Sequence, residues 1–264
     1  MLNDMTIVSA TVAVLLLIGL FGVGGFAFGR YMRDRDKDDA PFGVIQAAAF
    51  GLVGLLLGFS FSLAVSRFDQ RREITVQEAN AIGTTALRVP LLDAADGRKM
   101  WGLLRAYSVA RLDFAKAGTR PNAREEPGSR SHTLQVKMWA LAMRAAAKDP
   151  HSTMVPLFIQ TLNNAIDMAG EQAAALNAVI PGAVLAIVVG VILLAAALLG
   201  ADFARLGRFE IGPFVLFAGM LALTLATILD LDRPQRGYIR VPVTPLQDVV
   251  QELELPYPGP ASAH

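Results

Sequence analysis

The chain has 264 residues, 53% apolar and 18% charged, and its 24 basic residues nearly balance 23 acidic ones for a net charge of +1. That composition excludes a disordered chain and argues against an ordinary soluble domain, and the charge gives no footing for binding nucleic acid. With no cysteine present, disulfides, thiolate zinc sites, iron–sulfur ligation and cysteine nucleophiles are excluded together.

Four apolar runs contain no Asp, Glu, Lys or Arg: residues 7–29, 42–66, 178–200 and 211–229. Roughly 20 residues of helix cross a ~30 Å hydrocarbon core, and a chain in lipid must satisfy its own backbone hydrogen bonds, so all four are expected to be transmembrane helices. The first run follows a leader, Met1 to Asp4, with no basic residue, and no A-x-A site comes after it. It is longer than a signal-peptide core and is expected to stay as an anchor.

The runs pair into two hairpins, joined by residues 30–41 and 201–210. The expected organisation is a first hairpin at 1–66, a helical extramembrane block at 67–177, a second hairpin at 178–229 and a C-terminal segment at 230–264. The block holds 15 basic and 11 acidic residues and must sit in water.

Within the block, Arg67 to Val89 continues the second run as helix until Pro90. Residues 94–117 carry Met100, Leu103, Leu104, Tyr107, Leu112 and Phe114 at amphipathic spacing, with Arg98, Arg105 and Arg111 between them. Residues 118–130 have the composition of a loop. Leu134 to Lys148 reads as a helix with Trp139 and Met143 on one face, ended by Asp149-Pro150. A further helix opens at His151-Ser152 and runs through Met154, Phe158, Leu162 and Ile166 into the third apolar run. Beyond the fourth run, Thr244 as cap, Pro245 at the first helical position and Gln247 predict a short helix. Its buried stripe is Leu246, Val249, Val250 and Leu253, and residues 256–264 read as a disordered tail. The expected fold is an all-α membrane protein, two transmembrane hairpins flanking a helical block.

Orientation is not decided by basic residues near the span ends, because the two sides carry six each. The block and both termini are expected in the cytoplasm.

Catalytic signals are absent from the pattern. His132, His151 and His264 lack metal-ligand spacing, and Gly22 to Gly25 lies inside an apolar run, so it is no phosphate loop. Asp167 and Glu171 read as a solvated helix surface, and Asp230 and Asp232 as exposed interfacial carboxylates. Neither an enzyme nor a bound cofactor or metal is expected. Gln46 and Pro181 interrupt the spans, but no charge does, which argues against a secondary transporter.

The second run is more informative. Ala47, Gly51, Gly54, Gly58 and Ser62 form a stripe of small residues. Such a stripe serves close helix packing, or it lines a pore in which Leu55 and Phe59 make an apolar constriction that gates by dewetting. Arg67, Asp69, Arg71 and Arg72 follow. On an ordinary span the arginines meet lipid headgroups; on a pore-lining helix they ring the mouth and gather anions. Glu78, Asn80 and Gly83 further along suggest close helix contacts.

The runs LLLGFSFSLAVSRFDQRREITVQEANAIGT (55–84) and LDLDRPQRGYIRV (229–241) resemble the bestrophin-like domain family of bacterial membrane proteins. Gly51, Gly54, Gly58, Asp69, Glu78, Asn80, Gly83, Asp230, Asp232 and Arg233 are read as helix-packing or family-motif positions. A further similarity to bestrophins lies in the order Leu57-Gly58-Phe59, Ser62, Arg67-Phe68-Asp69 and Arg72. That resemblance implies a pentameric ion channel in a bacterial inner membrane, with the second span lining the pore. Leu52, Leu55, Phe59 and Ser62 would then form the neck, and Arg67, Arg71 and Arg72 the charged mouth. The implied partners are the lipid bilayer, further copies of the chain and small inorganic ions, with anions such as chloride slightly favoured. The acidic calcium clasp of bestrophins has no counterpart, so calcium gating is not implied. The other reading is a non-conducting scaffold or sensor whose helical block binds a partner protein, because long helices continuous with spans transmit displacement.

Overall fold

The computed structural model describes residues 7–33, 42–118, 120–233 and 239–259. Every regular element among them is helical: α1 (Ile7–Arg33), α2 (Phe42–Arg88), a single 3-10 turn (Val89–Leu91), α3 (Ala94–Ala117), α4 (Pro121–Lys148), α5 (Val155–Asn177), α6 (Gly182–Arg205), α7 (Ile211–Asp232) and α8 (Thr244–Glu254). The chain divides into two compact units. The first draws on residues 1–66 and 179–232, the second on 67–178 and 233–264.

The first unit holds the apolar helices. Among the described residues four helices are long and apolar enough to cross a membrane, and the chain is an integral membrane protein. Inside a bilayer, apolar side chains gain little from leaving lipid, so helices associate where small residues let backbones meet. α1 and α6 do this: Gly25 lies against the backbone of Ala197, and Gly200 against the carbonyl of Gly22. A Cβ placed on Gly29 would stand 2.8 Å from the Ala201 Cα. The phenyl ring of Phe209 joins Phe26, Phe203 and Phe214 at centroid distances of 5.5, 5.5 and 5.1 Å, in the edge-on and tilted arrangements that aromatic quadrupoles favour.

The second unit has a conventional core. Ile82, Met100, Leu104, Tyr107, Met138, Phe158, Leu162, Leu246 and Leu253 are fully buried in it. α2 ends just before Pro90, which biases the residue before it away from helix. α3 then starts on a capping aspartate: the Asp93 carboxylate accepts the N–H groups of Ala95 and Asp96 at 3.0 and 2.8 Å, satisfying two orphan donors. Leu246, Val249 and Leu253 of α8 are buried, as its stripe requires.

Several local expectations need correction. Residues 118–130 are not a loop throughout, since α4 begins at Pro121. Proline is favoured in a first turn, and Pro127 is buried on the same helix. Packing against α3 overrides the breaker composition: Arg130 pairs with Asp113 at 2.6 Å, and Gly128 meets the Phe114 ring. The inner face of α4 is Leu134, Met138, Leu141, Ala142 and Ala145, whereas Trp139 and Met143 point outward, 37% and 49% exposed. α5 does not run into the third apolar run; the chain leaves helix at residues 178–181. Pro181 lacks an N–H and disfavours helix at Ile180. Thr244 is the first residue of α8 but caps nothing, the cap position being Val243. The tail is fixed as far as Tyr257, whose ring lies 6.0 Å from that of Trp101, while the Trp101 indole donates to the Leu255 carbonyl at 3.1 Å. Residues 260–264 of the expected tail lie outside the described residues.

Candidate functional site

The apolar part of α2 has two unlike faces. Val53, Leu57, Ser60 and Ala64 are buried in the first unit, and Phe50 meets Phe217 at 5.2 Å between centroids. The opposite face carries Gly51, Gly54, Leu55, Gly58, Phe59 and Ser62, all exposed, with Leu52 at its edge. Phe59 is 66% exposed, Leu55 54% and Leu52 47%. A Cβ added at Gly51, Gly54 or Gly58 would meet no described atom within 4 Å. The glycines of the stripe therefore pack against nothing among the described residues, and an uncharged helix face is left for lipid, another copy or a pore.

The arginines that follow are not equivalent. Asp69 and Arg72 are exposed and Arg67 is half-buried. Arg71, expected to be a mouth charge, is buried. Its Nε donates to the Ala175 carbonyl at 3.1 Å and a terminal nitrogen to the Ala178 carbonyl at 2.6 Å. The last carbonyls of a helix have no partner within it and attract a cation, and at the end of α5 Arg71 is that cation. Asp230 and Asp232, expected to be exposed, are both buried. Asp232 accepts the Ile180 N–H at 2.9 and 3.2 Å. The break at Pro181 deprives that N–H of a helical acceptor, and the carboxylate supplies one. Arg233 is half-buried.

Glu78 anchors the polar cluster of the second unit. It lies on α2 beyond the apolar span, fully buried, and accepts from Arg111 Nε of α3. Arg111, also buried, donates to Gln172 Oε1 of α5 at 2.7 Å and to the Ala169 carbonyl at 3.5 Å. Its guanidinium lies 4.6 Å from the Phe114 ring centroid. Burial pushes the Glu78 carboxyl up, and the neighbouring Arg111 pulls against it. Beside them the Tyr107 hydroxyl donates to the Ala165 carbonyl and accepts from Gln135, each at 3.3 Å, and burial pushes it up to about 12. This is a clamp joining three helices. Asn80 is exposed, and Gly83 half-buried near Val249 of α8. Arg111 and Gln172 were not singled out as site residues, yet the signal exists for Arg111. It falls on the apolar stripe of α3, between Tyr107 and Phe114.

The family model of the bestrophin-like domain matches residues 12–246. Two crystal structures of a bacterial bestrophin homologue from Klebsiella pneumoniae, each of a variant form, are similar in fold. One is 17% identical with a TM-score of 0.69, over 95% of this chain and 97% of that chain. The other is 17% identical with a TM-score of 0.68, over 92% and 97%. A structure described as a membrane protein matches at 17% identity and a TM-score of 0.66, over 93% and 97%. No curated protein matches the sequence.

Proposed function

The chain belongs to the bestrophin-like domain family, and from that premise we propose that it assembles into a pentameric channel for small ions. The observation that carries this reading is the uncharged outer face of α2, where Leu52, Leu55, Phe59 and Ser62 stand exposed. In a ring of copies this face lines the pore, and Leu55 and Phe59, one turn apart, form an apolar neck that passes ions only when wetted. Arg67 and Arg72, further along the same helix, set the charge at its mouth and favour anions slightly. Arg71 has no part in that charge ring, because its guanidinium is committed to the end of α5. The protein resides in a bacterial inner membrane with the second unit and both termini in the cytoplasm, and it is not an enzyme.

One observation favours the other reading, a scaffold or sensor. Val136, Trp139 and Met143 lie exposed on α4 of the second unit, and an aromatic flanked by aliphatic side chains suits a protein partner.

The mass of the nanodisc-embedded particle separates the two. Five copies of a 28.2 kDa chain support the channel. A monomer or dimer leaves the neck without a ring and supports the scaffold.

A further inference from the structure

One end of the second unit gathers basic side chains where the chain enters its apolar runs. Asn177 is the last residue of α5, and the third run starts at the next position. Arg71 of α2, five residues after the second run, reaches the Ala175 and Ala178 carbonyls, so both crossings lie together. The start of α4 lies here too, because Arg124 donates to Asn177 Oδ1 at 2.9 Å. So does the end of α3, whose Phe114 ring lies 5.7 Å from the Arg124 guanidinium. Lys116 and Arg120, both exposed, occupy the last turn of α3 and the residue before α4. The Nε of Arg124 is buried and has no hydrogen-bond partner among the described residues. Of the nearby carboxylates, Asp113 is held by Arg130 at 2.6 Å and Glu126 lies 3.8 Å from the same arginine, whereas Glu125 is exposed.

We propose that Lys116, Arg120 and Arg124 form a docking surface for the phosphate headgroups of anionic phospholipids in the adjoining leaflet. The position supplies the argument for lipid. Asn177, at the head of an uncharged run, is hydrogen-bonded to Arg124, and Arg120 is one helical turn away, so these cations stand at headgroup depth. Juxtamembrane Lys and Arg gain from the negative surface of such a leaflet. The hydrogen bond to Asn177 and the Phe114 ring beside it restrict the Arg124 guanidinium, which lowers the entropy lost when a phosphate is bound. This site does not depend on conduction or on the number of copies.

The test uses the full chain in detergent, titrated with phosphatidylglycerol or phosphatidylcholine, with bound lipid counted by native mass spectrometry. The expected result is tighter binding of phosphatidylglycerol. The preference falls about tenfold or more in Lys116→Gln/Arg120→Gln, where two surface charges are lost. Both side chains are exposed, and the one hydrogen bond lost, from Arg120 Nε to the Ala117 carbonyl at 3.2 Å, is checked by the melting temperature, which is expected to stay within a few degrees of wild type. The control Lys137→Gln/Arg144→Gln removes two exposed α4 charges elsewhere and keeps the preference. An absent preference in the wild type overturns the proposal, as does an unchanged one in Lys116→Gln/Arg120→Gln. A drop of the same size in the control assigns the effect to net charge and also overturns it. Full competition by inorganic phosphate at the lipid's own concentration makes the ligand a free anion rather than a bilayer lipid.

Discussion

Arg111 of α3 donates into Glu78 of α2 at a point where neither side chain reaches water. Taking one partner away leaves an unpaired buried charge, which costs about 3–5 kcal/mol, whereas an apolar pair of similar volume is often tolerated. Arg111→Met is therefore expected to lower the melting temperature of the solubilised protein more than Glu78→Met/Arg111→Met does. A double variant that melts at or below Arg111→Met would show that the pair contributes through shape and not through charge.

Lys148 bridges Asp93 and Asp96 at the start of α3. The Asp96 backbone N–H and then the Lys148 ammonium hold the Asp93 carboxyl down at about 2, against an ordinary value of 3.8. A folded-state value below the unfolded one contributes stability that is present above pH 3.8 and lost as pH falls towards 2. Lys148 is held above its ordinary 10.5 by the same carboxylates, so its contribution is present below that pH and lost as pH rises through the higher folded value. The melting-temperature gap between wild type and Lys148→Met should be flat through neutral pH and close at both extremes. Lys148 and Asp93 are exposed, although Asp96 is buried, so the effect is small; salt should shrink it further.

Asp232 is expected to matter through the Ile180 N–H it accepts. Asp232→Ala strands a buried donor and costs about 1–3 kcal/mol, and Asp232→Asn, which keeps an acceptor oxygen, costs less. Equal losses in the two variants, read as melting temperatures, would mean that the charge of Asp232 matters and its hydrogen bond does not.

Much of this architecture was legible because lipid leaves few choices. An uncharged run of 19 to 25 residues is a helix wherever it crosses a bilayer, so α1, α2, α6 and α7 followed directly. The long extension of α2 and the bounds of α3 followed from Pro90 and from apolar spacing. What was hidden depends on contacts distant in sequence. The start of α4 reads as a loop until Phe114 and Asp113 are known to face it. Arg71 and Asp232 look like interfacial charges until the break at Pro181 exposes the backbone groups they satisfy. Small-residue stripes are ambiguous for the same reason. Gly25, Gly29 and Gly200 sit at a crossing of α1 and α6, whereas Gly51, Gly54 and Gly58 meet nothing among the described residues, and spacing alone does not separate the two cases.

That contrast yields a stability test. Gly25→Leu or Gly200→Leu forces a side chain into backbone and should destabilise the fold by about 1–3 kcal/mol or more. Gly54→Ala meets no described atom within 4 Å and removes a flexible helical glycine, so the isolated chain should be unharmed or slightly stabilised. If Gly54→Ala lowers the melting temperature of the intact particle as Gly25→Leu does, the outer face of α2 is closely packed between copies and is not open to a pore.

Phe59 decides among the three surroundings open to that face. A phenylalanine facing lipid contributes to insertion, so Phe59→Ser would lower stability in the membrane and leave any ion flux unchanged. Packed between copies, it would hold the ring together, and Phe59→Ser would shift the particle towards smaller assemblies. At an apolar neck it excludes water from the pore, and a hydroxyl in its place lets water and ions enter. The proposed channel therefore predicts that Phe59→Ser and Leu55→Ser raise single-channel conductance in planar bilayers while the particle mass stays the same. Arg72→Glu, at the mouth, should move the reversal potential in a salt gradient towards cation permeation. Unchanged current in both serine variants, with the assembly intact, would remove α2 from the ion pathway.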